Sequence, residues 1–333
     1  MIPNARFIEL LGDIEPSPTT IQRASAAHTA VRDHLWAEPS FKDRMVDDFL
    51  VGSYFRDTAL RPQTIGNEVE RPDVDIAIVT NHKQHDTPDD VLNGLCRSLR
   101  KNFQVERINK RSVHLISPGA VMDVVPLIRN GPAFLIPDRD SGGWLDTNPP
   151  YHTQWSEVQN KKFGGRFIPT VKLTKWWRRQ NPTGKRPKGF ANEVLVAMHA
   201  PPLVAHYGEA FAQFLENVAA TYGTAADASI KPFIPDPAFP VTNDVLSKCT
   251  LPQWKAFIEK VRVHAHYARR AQATSELDEA TLLWKRVFGD RFRSTEASAK
   301  VSSSYSYANA AAPAGGLSFP AANAAPNTPR DFA

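Results

Sequence analysis

One short segment limits how this chain can fold more than any other. Asp73-Val74-Asp75-Ile76-Ala77-Ile78-Val79-Thr80 sets two acids into a run of small and β-branched residues. The alternation predicts a strand over 73–80. Side chains two apart on a strand share a face. Asp73 and Asp75 therefore project together, and Val74, Ile76 and Ile78 project into a core behind them. Two carboxylates held that close repel each other unless a cation lies between them. The pair is costly for structure alone, but it suits Mg²⁺, which prefers oxygen ligands and usually takes one or two carboxylates plus phosphates. A third acid, Asp123, interrupts the otherwise apolar Val121-Met122-Asp123-Val124-Val125-Pro126, part of a second predicted strand over 121–128. A lone acid there either points to solvent or serves a site. Three acids on neighbouring strands can hold two metal ions. For the Asp-x-Asp pair alone, an exposed polar face and a metal site both remain open.

Elsewhere the pattern is mixed. Thr20 to Leu50 reads as a helix, with Ala27, Val31 and Leu35 at roughly helical spacing. Phe49 to Val51 is a short apolar run ending at Gly52-Ser53, and Tyr54 to Leu60 reads as a short helix. Thr87 to Phe103 reads as a helix with an acidic start and a basic end, which suits the helix dipole. Ser112 to Ile116 reads as a strand, joined to the next by the turn Ser117-Pro118-Gly119. Beyond about residue 160 the pattern becomes helical: 169–180, 191–200, 208–222, 251–273 and 277–288. In the first of these, Leu173, Trp176, Trp177 and Gln180 form a stripe that reads as core, and Lys172, Lys175 and Arg179 form another. His264 and His266 read as helix surface. The expected fold class is α/β (α+β): a mixed sheet with helices over 1–160 and a helical lobe over 161–297. Residues 298–333 hold eleven Ala and four Pro among scattered Ser, Asn and Gly. That composition offers little apolar surface to offset ordering entropy, so a disordered tail is expected.

Charge is local. The net charge is +5, yet residues 161–188 carry ten Lys or Arg and no Asp or Glu. The remainder holds 30 basic and 35 acidic residues, a net of −5. The basic segment is either a solvated helix face or a patch for an anion such as a triphosphate or nucleic acid. Two cysteines are too few for a disulfide framework or a cysteine-rich zinc site. No apolar run is long enough for a membrane span, and the first residues lack the pattern of a signal peptide. A cytoplasmic protein with no membrane association is expected.

The order of the motifs matters more than any one of them. Val51-Gly52-Ser53-Tyr54 is followed by Asp73-Val74-Asp75-Ile76 and then by Met122-Asp123-Val124-Val125-Pro126. A glycine ahead of a helix start lets backbone approach a phosphate, although as a dipeptide Gly52-Ser53 is an ordinary turn. This ordered set resembles the DNA polymerase β-like nucleotidyltransferase superfamily, and within it the bacterial cGAS/DncV-like enzymes (CD-NTases). Val171-Lys172-Leu173-Thr174-Lys175-Trp176-Trp177 resembles that group's helix with a triphosphate-contacting lysine, and Asp236-Pro237-Ala238-Phe239-Pro240 its Asp-Pro loop. The resemblance spans roughly 20–290 and implies a catalytic lobe with an N-terminal spine helix over 1–160, with nucleotides between the lobes. It implies Asp73, Asp75 and Asp123 as catalytic and metal-binding residues, with two Mg²⁺ (or Mn²⁺). It implies nucleotide contacts from Gly52, Ser53, Lys175, Lys172 and Phe190. It further implies a cyclic di- or trinucleotide second messenger made from ATP, GTP or pyrimidine triphosphates in antiviral defence. A protein partner that binds or conjugates the tail at Ala333 is expected on the same ground. The chain departs from the group at Gly189-Phe190, where a Ser often precedes the aromatic, and it has no Cys/His cluster for a zinc ribbon. Two other readings are a transferase adding nucleotides to RNA or a small acceptor, and a non-enzymatic nucleotide-binding scaffold. Nucleic acid is not an expected partner.

Overall fold

The computed structural model describes residues 2–65, 68–182 and 186–293; the tail 298–333 lies outside them. In chain order the elements are α1 (Ala5–Ile14), α2 (Pro18–Ala37), β1 (Met45–Val51), α3 (Gly52–Phe55), β2 (Thr64–Ile65), β3 (Glu68–Val69), β4 (Asp73–Thr80) and α4 (Pro88–Leu99). There follow β5 (Gln104–Ile108), β6 (Val113–Ile116), β7 (Val121–Asn130), β8 (Ala133–Asp138), β9 (Gly143–Thr147), α5 (Pro149–Lys162), α6 (Phe167–Gln180) and α7 (Gly189–His199). The last are α8 (Tyr207–Asp227), β10 (Pro235–Asp236), β11 (Phe239–Asp244), α9 (Leu251–Ala273) and α10 (Leu277–Phe288). The mixed α/β class is as expected. Over the described residues the chain divides into two units, one of residues 16–154 and one combining residues 2–15 with those from 155 to 293.

In the first unit the sheet runs β1-β4-β7-β6-β5, with β8 continuing from β7 and β9 from β8. Among the described residues only β4 and β7 pair in parallel; β1, β6 and β8 join them antiparallel. The parallel pair needs a crossover, and α4, β5 and β6 supply it. Val74, Ile76 and Ile78 of β4 are fully buried with Leu92 and Leu95 of α4 and Val31 and Leu35 of α2. The odd-numbered positions are apolar too. Ala77 and Val79 pack with Phe49, Leu127 and Phe134. Asp73 and Asp75 stand on this second face, at the end where the apolar packing stops.

Caps fix the covering helices. The Ser17 hydroxyl accepts from the Thr20 N–H and Pro18 starts α2; Thr87 and Pro88 do the same for α4. The expected helix Thr20–Leu50 is corrected here. It ends at Ala37, and Met45–Val51 is the edge strand β1. Pro39 disfavours helical backbone in the residue before it, and the apolar run beyond gains more by pairing with β4. The short helix expected at Tyr54–Leu60 is the single turn Gly52–Phe55.

The second unit is helical. Its core gathers Trp177, Phe211, Phe257, Trp254, Trp284 and Phe288, all essentially buried. Each fully buried side chain of this size contributes on the order of 1.5–3 kcal/mol. Helix α1, which the periodicity reading missed, belongs here and not with the sheet: Phe7 stands edge-on to Trp284 at 4.9 Å, and a Cβ on Gly208 of α8 would overlap its ring. The Leu173-Trp176-Trp177 stripe of α6 is buried core, as its spacing predicts. His264 corrects the surface reading. It is 4% exposed, and its Nδ1 accepts from Trp177 Nε1 at 3.1 Å, whereas His266 is exposed. Proline 169 sits at the third helical position of α6, not at its opening.

Candidate active site

The register of the parallel pair builds the acid cluster. Asp73 lies opposite Val121, and Asp75 opposite Asp123. Adjacent strands are about 4.8 Å apart, so Asp75 and Asp123 emerge side by side, with Asp73 one pleat further along the same face. Asp73 is exposed, and Asp75 and Asp123 are half-buried.

Gly52 explains how Asp75 is seated. Val51, the last residue of β1, pairs with Asp75, and the chain then turns at Gly52 with φ +76°. A Cβ at that position would overlap Asp75 Oδ2 and lie 2.9 Å from its carboxyl carbon. The glycine is therefore required twice, once by its left-handed backbone and once by the carboxylate packed against it. Ser53 follows in the single turn of α3, its carbonyl accepting from the Thr58 N–H at 2.9 Å.

Asp123 is held on one side. Its Oδ1 accepts from Ser112 Oγ at 2.8 Å, Asn109 Nδ2 at 2.9 Å and His114 Nδ1 at 3.3 Å. His114 is its register partner on β6, and Asn109 and Ser112 close the β5–β6 hairpin, where the Asn109 N–H donates to the Ser112 carbonyl at 2.8 Å. The motif reading did not single out these three residues. The available signal was His114, polar in the otherwise apolar Val113-His114-Leu115-Ile116 and 8% exposed.

Among the described residues no three His, Cys, Asp or Glu side chains close into a cage around one ion as they stand. The donor set is still of the kind a hard cation takes. All three groups are carboxylates on one sheet face, one seated against a glycine and one with a single oxygen occupied by protein donors. Mg²⁺ usually takes one or two such carboxylates together with phosphate and water.

The remaining expected residues lie in the helical unit. Lys175 Nζ donates to Glu193 Oε1 at 2.7 Å, and the Glu193 side chain is fully buried. Gly189 packs against the Lys175 stem, where a Cβ would meet Cε at 3.4 Å. Phe190 is half-buried and stands edge-on to Trp155 at 6.0 Å. Lys172 departs from the solvated stripe that its spacing allowed. It is 1% exposed and donates to Glu15 Oε1 at 2.9 Å, an ion pair that ties α6 to the end of α1.

Residues 1–160 match the Second Messenger Oligonucleotide or Dinucleotide Synthetase (SMODS) domain family. Over 339 aligned residues the chain is 42% identical to cyclic AMP-AMP-AMP synthase from Acinetobacter sp. (strain ATCC 27244 / 9458), covering 100% of this chain and 98% of that protein. The fold is similar to that of the CD-NTase CdnG of Bradyrhizobium diazoefficiens, solved in complex with GTP (TM-score 0.72, 18% identity, 87% of this chain and 97% of that one). It is also similar to CdnC of E. coli MS115-1, solved in complex with HORMA-deltaN (TM-score 0.69, 18% identity, 88% and 98%). At such identities the solved structures bear on the fold alone.

Proposed function

The chain belongs to the cGAS/DncV-like nucleotidyltransferase (CD-NTase) family and is an enzyme that makes a cyclic oligonucleotide; from that premise we propose that its product is a cyclic trinucleotide of AMP made from ATP, acting in antiphage defence. Full-length 42% identity to a cyclic AMP-AMP-AMP synthase is the observation that carries the choice of product.

The chemistry is in-line attack of a ribose hydroxyl on an α-phosphate. A new O–P bond forms, the bond from the α-phosphorus to the pyrophosphate oxygen breaks, and the hydroxyl proton leaves to solvent. Asp73, Asp75 and Asp123 would hold Mg²⁺, with Mn²⁺ as a substitute, which when bound would neutralise triphosphate charge and acidify the attacking hydroxyl. The protein's own part is positioning. The β4–β7 register sets Asp75 beside Asp123, and Gly52 leaves room for the Asp75 carboxylate and brings backbone close to the substrate phosphates. Lys175 is assigned to the donor triphosphate and Phe190 to a base, both on the family pattern. Residues 298–333 are assigned to a protein partner that binds or conjugates this segment.

The test is synthesis by the purified enzyme with Mg²⁺ or Mn²⁺, given each triphosphate alone and all four together, followed by phosphatase treatment and mass spectrometry. ATP alone should give a phosphatase-resistant product with the mass of cyclic tri-AMP. A requirement for GTP or a pyrimidine triphosphate, or a product that phosphatase degrades, would overturn the assignment. The same assay on a chain ending at 297 should give unchanged product, while a pull-down with that chain loses a partner seen with the full length. Identical partner sets would reject the role of the tail.

A further inference from the structure

Most carboxylates that bind cations can swing about their side-chain torsions, so the position of both oxygens has to be fixed by something else. At Asp123 that something is visible. Three donors from two elements converge on one oxygen, Oδ1. Ser112 Oγ stands 2.8 Å from it, Asn109 Nδ2 2.9 Å and His114 Nδ1 3.3 Å. Asn109 Nδ2 also reaches Ser112 Oγ at 3.2 Å, so the two hairpin residues are tied to each other as well as to the acid. A carboxylate only accepts, so in this contact His114 donates through Nδ1–H. Its other nitrogen, Nε2, lies 3.4 Å from Glu106 Oε2 on β5. Ser112 and His114 are 7% and 8% exposed, while the Asp123 side chain keeps 25% of its surface open. Ser112 and His114 are thus inside, and Asn109, like the acid itself, is half-buried.

We propose that Asn109, Ser112 and His114 are positioning residues that occupy Oδ1 of Asp123 and thereby present Oδ2 as its single metal-binding oxygen. The inference rests on the reading of Asp123 as a cation ligand. An aspartate so fixed binds an ion through one oxygen in a set direction and loses little rotational freedom on doing so. Partners of this kind typically change metal affinity or activity by about 10- to 100-fold when removed. The hairpin that carries Asn109 and Ser112 then has a function beyond joining two strands. Its turn is the clamp on a catalytic side chain.

The experiment is titration of Mn²⁺ into the full chain with a non-hydrolysable ATP analogue, read by electron paramagnetic resonance of unbound Mn²⁺. Thermal unfolding of each variant is measured beside it. Ser112→Ala and Asn109→Ala should each weaken Mn²⁺ binding by about tenfold, and the double variant by more. At position 114 two variants separate the donor from the volume. His114→Asn keeps a donor near Nδ1 and should bind Mn²⁺ close to the wild-type level, whereas His114→Leu fills the space without a donor and should bind about tenfold more weakly. Asp123→Asn is the control for the underlying reading. If it binds Mn²⁺ as the wild type does, Asp123 is not a ligand and the reading itself fails. If Asp123→Asn loses Mn²⁺ but Ser112→Ala, Asn109→Ala and His114→Leu all bind normally, the positioning role is overturned while the reading stands. Weakening that tracks Tm across the variants, with Asn no better than Leu at position 114, would likewise make the three residues merely structural.

Discussion

At Gly52 a single missing Cβ decides whether an acid can sit where the sheet directs it. The backbone there is left-handed, at φ +76°, and the Asp75 carboxylate fills the space a side chain would take. Gly52→Ala therefore carries two costs. The backbone strain is about 1–2 kcal/mol, and Asp75 must also move off its position. Because the β1–β4 ladder around it is otherwise intact, the variant should fold, with Tm lowered by several degrees. Synthesis should fall at least tenfold, by the sensitivity of catalysis to misplacement of about an ångström. Comparing Tm with the initial rate of pyrophosphate release checks this; a variant with unchanged rate would show that the seat of Asp75 does not matter to turnover.

Helix α6 shows how one element handles two lysines three residues apart. Lys172 points to Glu15 and is closed off; Lys175 points to Glu193, and its side chain keeps 10% exposure. Removing either lysine alone would disturb a carboxylate in a buried place, which costs about 3–5 kcal/mol when a partner is lost. Stability would then mask any effect on substrate. Neutralising each pair together avoids this. Lys172→Met with Glu15→Gln should leave the KM for ATP unchanged. Lys175→Met with Glu193→Gln should raise it about tenfold or more, the worth of one hydrogen bond to a charged group. Steady-state kinetics on both double variants decides it, and equal KM values would remove Lys175 from the triphosphate.

Across the whole molecule, two buried histidines make stability depend on pH in the same direction. His28 and His264 are 1% and 4% exposed, and burial lowers both from 6.5 to about 4, with Arg32 beside the first and Lys260 beside the second adding to the effect. Both are neutral in the fold at pH 7, and His264 uses that neutral form to accept from Trp177. The unfolded chain takes up protons near 6.5, before the folded one does. Stability is therefore highest above that value and declines as pH falls from about 6.5 towards 4, by at most roughly 3 kcal/mol per histidine. Urea unfolding at pH 7, 6 and 5 should show the decline, and His264→Gln should make it shallower. An unchanged slope in that variant would mean that His264 titrates normally.

The local sequence determined a good deal. Alternation in 73–80 placed Asp73 and Asp75 on one face, and the interrupted apolar run placed Asp123 on a strand, because period-two geometry is a property of the strand itself. Helical spacing gave α9 and α10 to the residue, and the buried stripe of α6. The partners were a matter of tertiary structure. Only the parallel register sets Asp75 against Asp123, and only the hairpin turn brings Asn109 and Ser112 to Asp123 across 14 and 11 positions of chain. The assignment of 45–51 to a strand depended on an open edge of β4 to pair with, and the burial of Lys172 and His264 on Glu15 and Trp177, residues 157 and 87 positions away. A side chain's neighbours within a turn or a pleat follow from backbone periodicity. Neighbours brought together by chain reversal follow from the packing of whole elements, which no window of sequence contains.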